Sequence, residues 1–154
     1  MEREATTDYA QQIFAGQIPI YEDDRLTVYR VIEPAERGPY LILAPGWAPR
    51  QSDEAGTVWR DLPADQSAGF EVISPGGGPL GLEIEVAAPA GGKLVLMDAA
   101  GEELASWALS PEVATVRSRP FKTRSDAPTG LRLVYEGQTD EPAAIYEVSV
   151  TIAK

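Results

Sequence analysis

Cysteine and histidine are both absent from this chain of 154 residues. Without cysteine there is no disulfide, no thiolate nucleophile and no sulfur-ligated zinc. Without histidine the commonest general base, the usual zinc ligand and every histidine-based triad are excluded. Carboxylates, lysine, tyrosine and serine are the reactive side chains that remain. No run of 18 apolar residues occurs, so no segment reads as a helix that crosses a bilayer. The N-terminus, MEREATTDYAQQ, has no basic stretch followed by an apolar one and does not read as a signal peptide. Basic residues are scarce, 13 against 24 acidic ones, for a formal charge of −11. RSRPFKTR at 117–124 is the densest basic stretch. A chain this acidic, with no basic stripe, is not expected to bind nucleic acid or to lie on anionic lipid.

What the chain does have is short alternating segments cut by glycine and proline. TTDYAQQIFAG at 6–16 places Ala10, Ile13 and Phe14 on one helical stripe, with a threonine able to cap it and Gly16 able to end it. From residue 25 onward the period falls to two. RLTVYRVI at 25–32, YLILA at 40–44, TVWRDL at 57–62 and GFEVIS at 69–74 read as strands. SPGGGPLG at 74–81 is a breaker run, lacking the GK[ST] ending of a phosphate loop. LEIEVAA at 82–88 sets Leu82, Ile84 and Val86 against Glu83 and Glu85. KLVLMD, AAG and EELASWALS form a hairpin, with Leu94, Leu96 and Leu104 suited to an inward face and Trp107 and Leu109 near it. ATVRSRPF, TGLRLVYEG and AIYEVSVTIA complete eight to ten strands with no helical crossovers between them. The expected fold is all-β: an antiparallel β-sandwich of jelly-roll or Greek-key type with a short N-terminal helix. The expected division is a helical segment over 1–17 and a sandwich domain over 18–154.

Two tryptophans and two arginines surround one Gly/Pro-rich turn, in LAPGWAPR at 43–50 and VWRDL at 58–62. Indoles there can stack on sugar rings or plug the end of a sandwich, and packing is the stronger reading for both Trp47 and Trp59. Arg50 and Arg60 can grip a carboxylate, a phosphate or a sugar hydroxyl. They can also cover an aromatic face or pair with Asp53, Glu54 or Asp61. The sequence suggests one cluster: Gly46 permits a tight strand exit, Trp47 folds back over the sandwich end, and Trp59 and an arginine join it. Trp107 reads inward, or outward beside Tyr135 or Tyr146 as an aromatic platform. Glu83 and Glu85 lie about 7 Å apart on one strand face, a spacing reminiscent of a glycosidase pair, but on a face expected to be solvated, where alternating glutamates are the ordinary exterior pattern of a sandwich strand. Glu22, Asp23 and Asp24, or Asp53 and Glu54, suit a structural calcium without defining a ligand set. No nucleophile–base pair stands out, and no catalytic activity and no other cofactor are expected.

YEDDRLTVYRV, LAPGWAPRQ and VWRDL, in that order, resemble the soluble extracytoplasmic β-sandwich domain of bacterial polytopic membrane glycosyltransferases of the protein mannosyltransferase type. The strands that follow are similar to jelly-roll carbohydrate-binding modules. The resemblance makes Gly46-Trp47 the GW of that family and Trp59-Arg60 its aromatic-basic strand. The chain departs from it at Pro49, Arg50 and Gln51, where an acidic residue is usual. The resemblance implies a non-catalytic accessory domain of a cell-envelope glycosylation protein, on the extracytoplasmic side of a bacterial membrane. It would contact glycan, polyprenyl-linked sugar or a membrane-embedded part of a larger chain. The alternatives are a free-standing carbohydrate-binding module and a purely structural or protein-interaction sandwich.

Overall fold

Side chains alternating at a two-residue period can bury one face of a sheet and hydrate the other. Most of this chain takes that solution. The computed structural model describes residues 21–22, 27–30 and 38–152. The helix expected over 6–16 and the expected boundary after residue 17 lie outside the described residues. The chain divides into two compact units, 1–36 and 37–154. In the first, β1 (Tyr21–Glu22) pairs antiparallel with β2 (Thr27–Val28).

The second unit is a two-sheet antiparallel sandwich. Its strands are β3 (Tyr40–Leu43), β4 (Arg50–Ser52), β5 (Val58–Leu62), β6 (Ser67–Ile73), β7 (Gly78–Ala87) and β8 (Gly92–Asp98). They continue with β9 (Glu103–Leu109), β10 (Ala114–Arg117), β11 (Phe121–Thr123), β12 (Thr129–Glu136) and β13 (Ala143–Ile152). One sheet runs β3-β6-β12-β8-β9. The other runs β10-β7-β13-β5-β4, with β11 also pairing with β7. The all-β sandwich expected from the alternation is the fold found.

Between the sheets, Leu80, Leu82, Ile84 and Val86 of β7 meet Phe70, Val72, Leu94, Leu96, Leu131, Leu133 and Tyr135, all buried. The expected hairpin is β8–β9, turned at Gly101 (φ 87°), with Asp98 Oδ1 accepting from the Glu102 N–H at 2.8 Å. Trp107 points inward, opposite Leu94 and packed on the core, so it joins no outward platform. Its Nε1 donates to the Arg117 carbonyl at 3.2 Å and ties an edge of one sheet to an edge of the other.

Two bulges correct strict alternation. In β9 the register shifts between Leu96 and Met97 of the partner strand, which lets adjacent Leu104 and Ala105 both pack on the core. In β13 the pairing jumps from Ile145↔Val86 to Glu147↔Glu85. Tyr146 is the extra residue, and Ile145, Val148 and Val150 all reach the core side. Simple alternation set Ile145 opposite Val148. The inserted residue reverses that, because a bulge flips every later side chain relative to the earlier ones.

Tyr135 is the largest fully buried side chain, and its hydroxyl donates to the Gly91 carbonyl at 2.6 Å. Burial first, and then the charge of Glu141, raises its pKa above the ordinary 10.0. The folded chain therefore keeps this proton after the unfolded chain has lost it. Its contribution is complete below pH 10.0 and declines as pH rises toward the folded value. At neutral pH, Tyr135→Phe is expected to cost about 0.5–1.5 kcal/mol for the lost hydrogen bond. Urea melts across a pH series should show that gap narrowing above pH 10.0. A gap that widens or stays constant there would contradict the assignment.

Candidate functional site

β3 leaves the five-stranded sheet at Leu43, and the chain must cross to the opposite sheet to begin β4. Gly46 makes the crossing with φ 108°, in the region where a side chain is strained, and a Cβ there would lie 2.9 Å from the Ser67 carbonyl oxygen. The next residue, Trp47, is half-buried and packs on the core. Its Nε1 donates to the Gly69 carbonyl at 2.6 Å. The same oxygen accepts the Ala44 N–H at 3.0 Å, so the turn is clamped twice onto β6.

Beyond the turn, β4 and β5 pair with Arg50 directly opposite Arg60. On β5, Val58, Arg60 and Leu62 share one face. Leu62 is in the core, so Arg60 points to the inter-sheet side. Arg60 Nη1 donates to the Ala48 carbonyl at 2.7 Å and anchors the loop that carries Trp47.

These elements enclose a cleft of about 410 Å³ where β3 faces β4, β5 and β13. Leu41 and Leu43 line it from β3, Trp47 from the turn, and Arg50, Val58 and Arg60 from β4 and β5. Ile145, Tyr146, Glu147 and Val148 complete it from β13. Pockets that take small ligands are typically ~300–1,000 Å³, mostly apolar, with a few placed polar groups. The composition here fits that description.

Three of the four residues singled out from sequence, Trp47, Arg50 and Arg60, therefore share one cleft. Trp59 does not join them, which corrects the single cluster expected around the turn. It neighbours Arg60 along an extended strand and so faces the other way. Its Nε1 donates to Asp61 Oδ1 at 3.1 Å, and Gln51 Nε2 donates to Asp61 Oδ2. Its ring lies 6.4 Å from that of Tyr146 at 47°. From sequence Tyr146 reads only as a platform neighbour of Trp107, not with the Trp47 turn. The signal was the AIYEV stretch, where an apolar residue, an aromatic and a charge fall out of alternation.

Elsewhere, among the described residues, Glu83 and Glu85 are engaged on the sheet's outer face. Glu83 accepts from Arg117 Nε at 2.7 Å on the outer face of the β7 sheet, and that hydrogen bond, and then the carboxylate's charge, hold the guanidinium above its ordinary pKa. Glu85 pairs in register with Glu147. Among the described residues no group of three or more Asp or Glu is placed to hold a metal ion. Asp53, one of the carboxylates considered for calcium, accepts the Thr57 N–H at 2.8 Å.

No family model and no curated protein matches the chain. Solved structures do. A family 6 carbohydrate-binding module from Clostridium cellulolyticum, in complex with xylose, matches at TM-score 0.55 and 11% identity, over 73% of this chain and 97% of that one. A module of the same family from Clostridium stercorarium, in complex with cellobiose, matches at 0.53 and 14%, over 76% and 88%. A β-1,3-glucan-binding module from Bacillus halodurans matches at 0.52 and 15%, over 73% and 96%. At these identities the likeness is one of fold. The chain has the all-β sandwich of carbohydrate-binding modules.

Proposed function

We propose that this protein is a non-catalytic carbohydrate-binding module, with the cleft between β3 and the β4-β5-β13 face as its glycan site. One observation carries the reading. A sandwich of the kind that binds xylose and cellobiose in its structural neighbours holds a cleft lined by the Trp47 indole and the side chains of Arg50 and Arg60. The indole offers flat apolar area to the C–H face of a sugar ring, and the guanidiniums offer N–H donors to its oxygens. The cleft lining holds no nucleophile paired with a base, and it is read as a binding site only.

The glycosyltransferase resemblance finds no counterpart among the neighbours named above. The fold favours the alternative drawn from sequence, a module that binds glycan on its own. An accessory role in envelope glycosylation, at the outer side of a bacterial membrane and beside a membrane-embedded partner, rests on the LAPGWAPR and VWRDL resemblance alone.

The test is calorimetric titration of the intact chain with a panel of soluble oligosaccharides, alongside tryptophan fluorescence. At least one glycan is expected to bind, and Arg50→Ala is expected to weaken it while the melting temperature shifts little. A panel spanning neutral and acidic glycans with no binder would overturn the reading.

A further inference from the structure

Two guanidiniums side by side are unusual furniture for a chain of net charge −11. Arg50 and Arg60 are register partners, and directly opposed residues have Cβ atoms about 4.5–5.5 Å apart, where like charges repel. Neither has an ion-pair partner among the described residues, although carboxylates outnumber cations nearly two to one along the chain. Among the described residues three other basic side chains do find acids, whereas Arg119, Lys122 and Arg132 do not. Lys93 lies between Glu103 and Glu136, Arg117 holds Glu83, and Arg124 grips Asp126 through two bonds. In the cleft, Arg60 spends one N–H on the Ala48 carbonyl, and its remaining donors and those of Arg50 have no acceptor among the described residues. Glu147 is the one carboxylate among the residues lining the cleft. It also borders a shallow depression with Glu83 and Glu85 on the outer face of the sheet.

We infer that the cleft selects an anionic saccharide, whose acid group sits between Arg50 and Arg60 while its ring lies against Trp47. The inference rests on the glycan-binding reading and narrows its ligand class. A planar fork of donors matches a carboxylate or sulfate oxygen pair, and an anion between the two arginines removes their mutual repulsion. A neutral sugar accepts hydrogen bonds but leaves that repulsion in place. The acid can be a uronate carboxylate or a sulfate ester, since both present paired oxygens to the same fork.

Calorimetry on the intact chain tests this with three probes at equal chain length: an oligogalacturonate, a sulfated galactan oligomer, and the neutral galactan oligomer. At least one acidic probe is expected to bind tenfold or more tighter than the neutral one, and to weaken as salt rises from low to several hundred millimolar. Arg50→Gln, which leaves the Ala48 anchor intact, is expected to lower acidic-probe affinity about tenfold or more, to lower neutral-probe affinity far less, and to leave the melting temperature nearly unchanged. Arg60→Lys, checked by circular dichroism for folding, should act in the same direction. Equal binding of neutral and acidic probes, or an Arg50→Gln variant that weakens both alike, overturns the anionic selectivity but leaves a glycan-binding module standing. Binding of no probe removes the anionic assignment, and the broader panel decides whether the module reading falls with it.

Discussion

Gly92→Ala is expected to destabilise the sandwich by about 2–5 kcal/mol, the sum of backbone strain and overpacking. Gly92 opens β8 with φ 122°, where an L side chain is strained. A Cβ built on it lies 2.7 Å from the Glu136 carbonyl oxygen and 2.8 Å from Tyr135 Cε2. Neither neighbour can yield. The carbonyl belongs to β12, paired with β8 on one side and β6 on the other. The Tyr135 ring is fully enclosed, with its hydroxyl on Gly91. A glycine open to solvent provides the control. A Cβ at Gly76 meets nothing within 4 Å, and its φ is not in the strained region. Urea melts of both alanine variants should show a large loss for Gly92 and a change within about 0.5 kcal/mol for Gly76. Equal losses would refute the close-approach argument.

Trp47→Ala is expected to cost about 2–3 kcal/mol, less than the ~3–5 kcal/mol of a fully buried aromatic because the ring is only half-buried. The loss is mainly packing. The Gly69 carbonyl keeps its second donor, the Ala44 N–H, so truncation strands no acceptor there. The sequence poses packing and ligand contact as alternatives for this indole, and its placement is compatible with both. It packs on the core cluster and it lines the cleft. The variant is therefore expected to lose stability and, under conditions where it stays folded, to lose glycan affinity as well. Trp47→Phe, which keeps a ring but not the N–H, should recover most of the stability. A Trp47→Ala protein as stable as the parent would show that Gly46, the Ala44–Gly69 bond and the Arg60–Ala48 bond hold the turn without the indole.

Much of the sandwich is legible along the chain, and the reason is locality. In LEIEVAA each residue's face follows from its neighbours two places away, and Leu82, Ile84 and Val86 are buried while Glu83 and Glu85 border the outer face. The hairpin at AAG is equally local, because a glycine with positive φ and an aspartate that caps the next turn are written within a few residues. The candidate site is legible only in part. The pattern points to Trp47, Arg50 and Arg60 by residue type. It groups Trp59 with them because they are close in sequence, yet consecutive strand residues face opposite ways.

By itself the sequence determined the fold class, most of the strands and most inward faces, and it removed thiol and imidazole chemistry through what it lacks. Tertiary structure alone decided which strands became neighbours and how the cleft closed. Arg50 meets Arg60 through the β4–β5 register, and Tyr146 reaches the cleft border because a bulge interrupts β13 there. Leu41 and Leu43 face β13 across the gap between two different sheets. Those placements depend on hydrogen-bonded pairing between segments far apart in the chain and on side-chain volume filling a shared core. Neither quantity is carried by any short stretch of residues, so no local periodicity could have disclosed them.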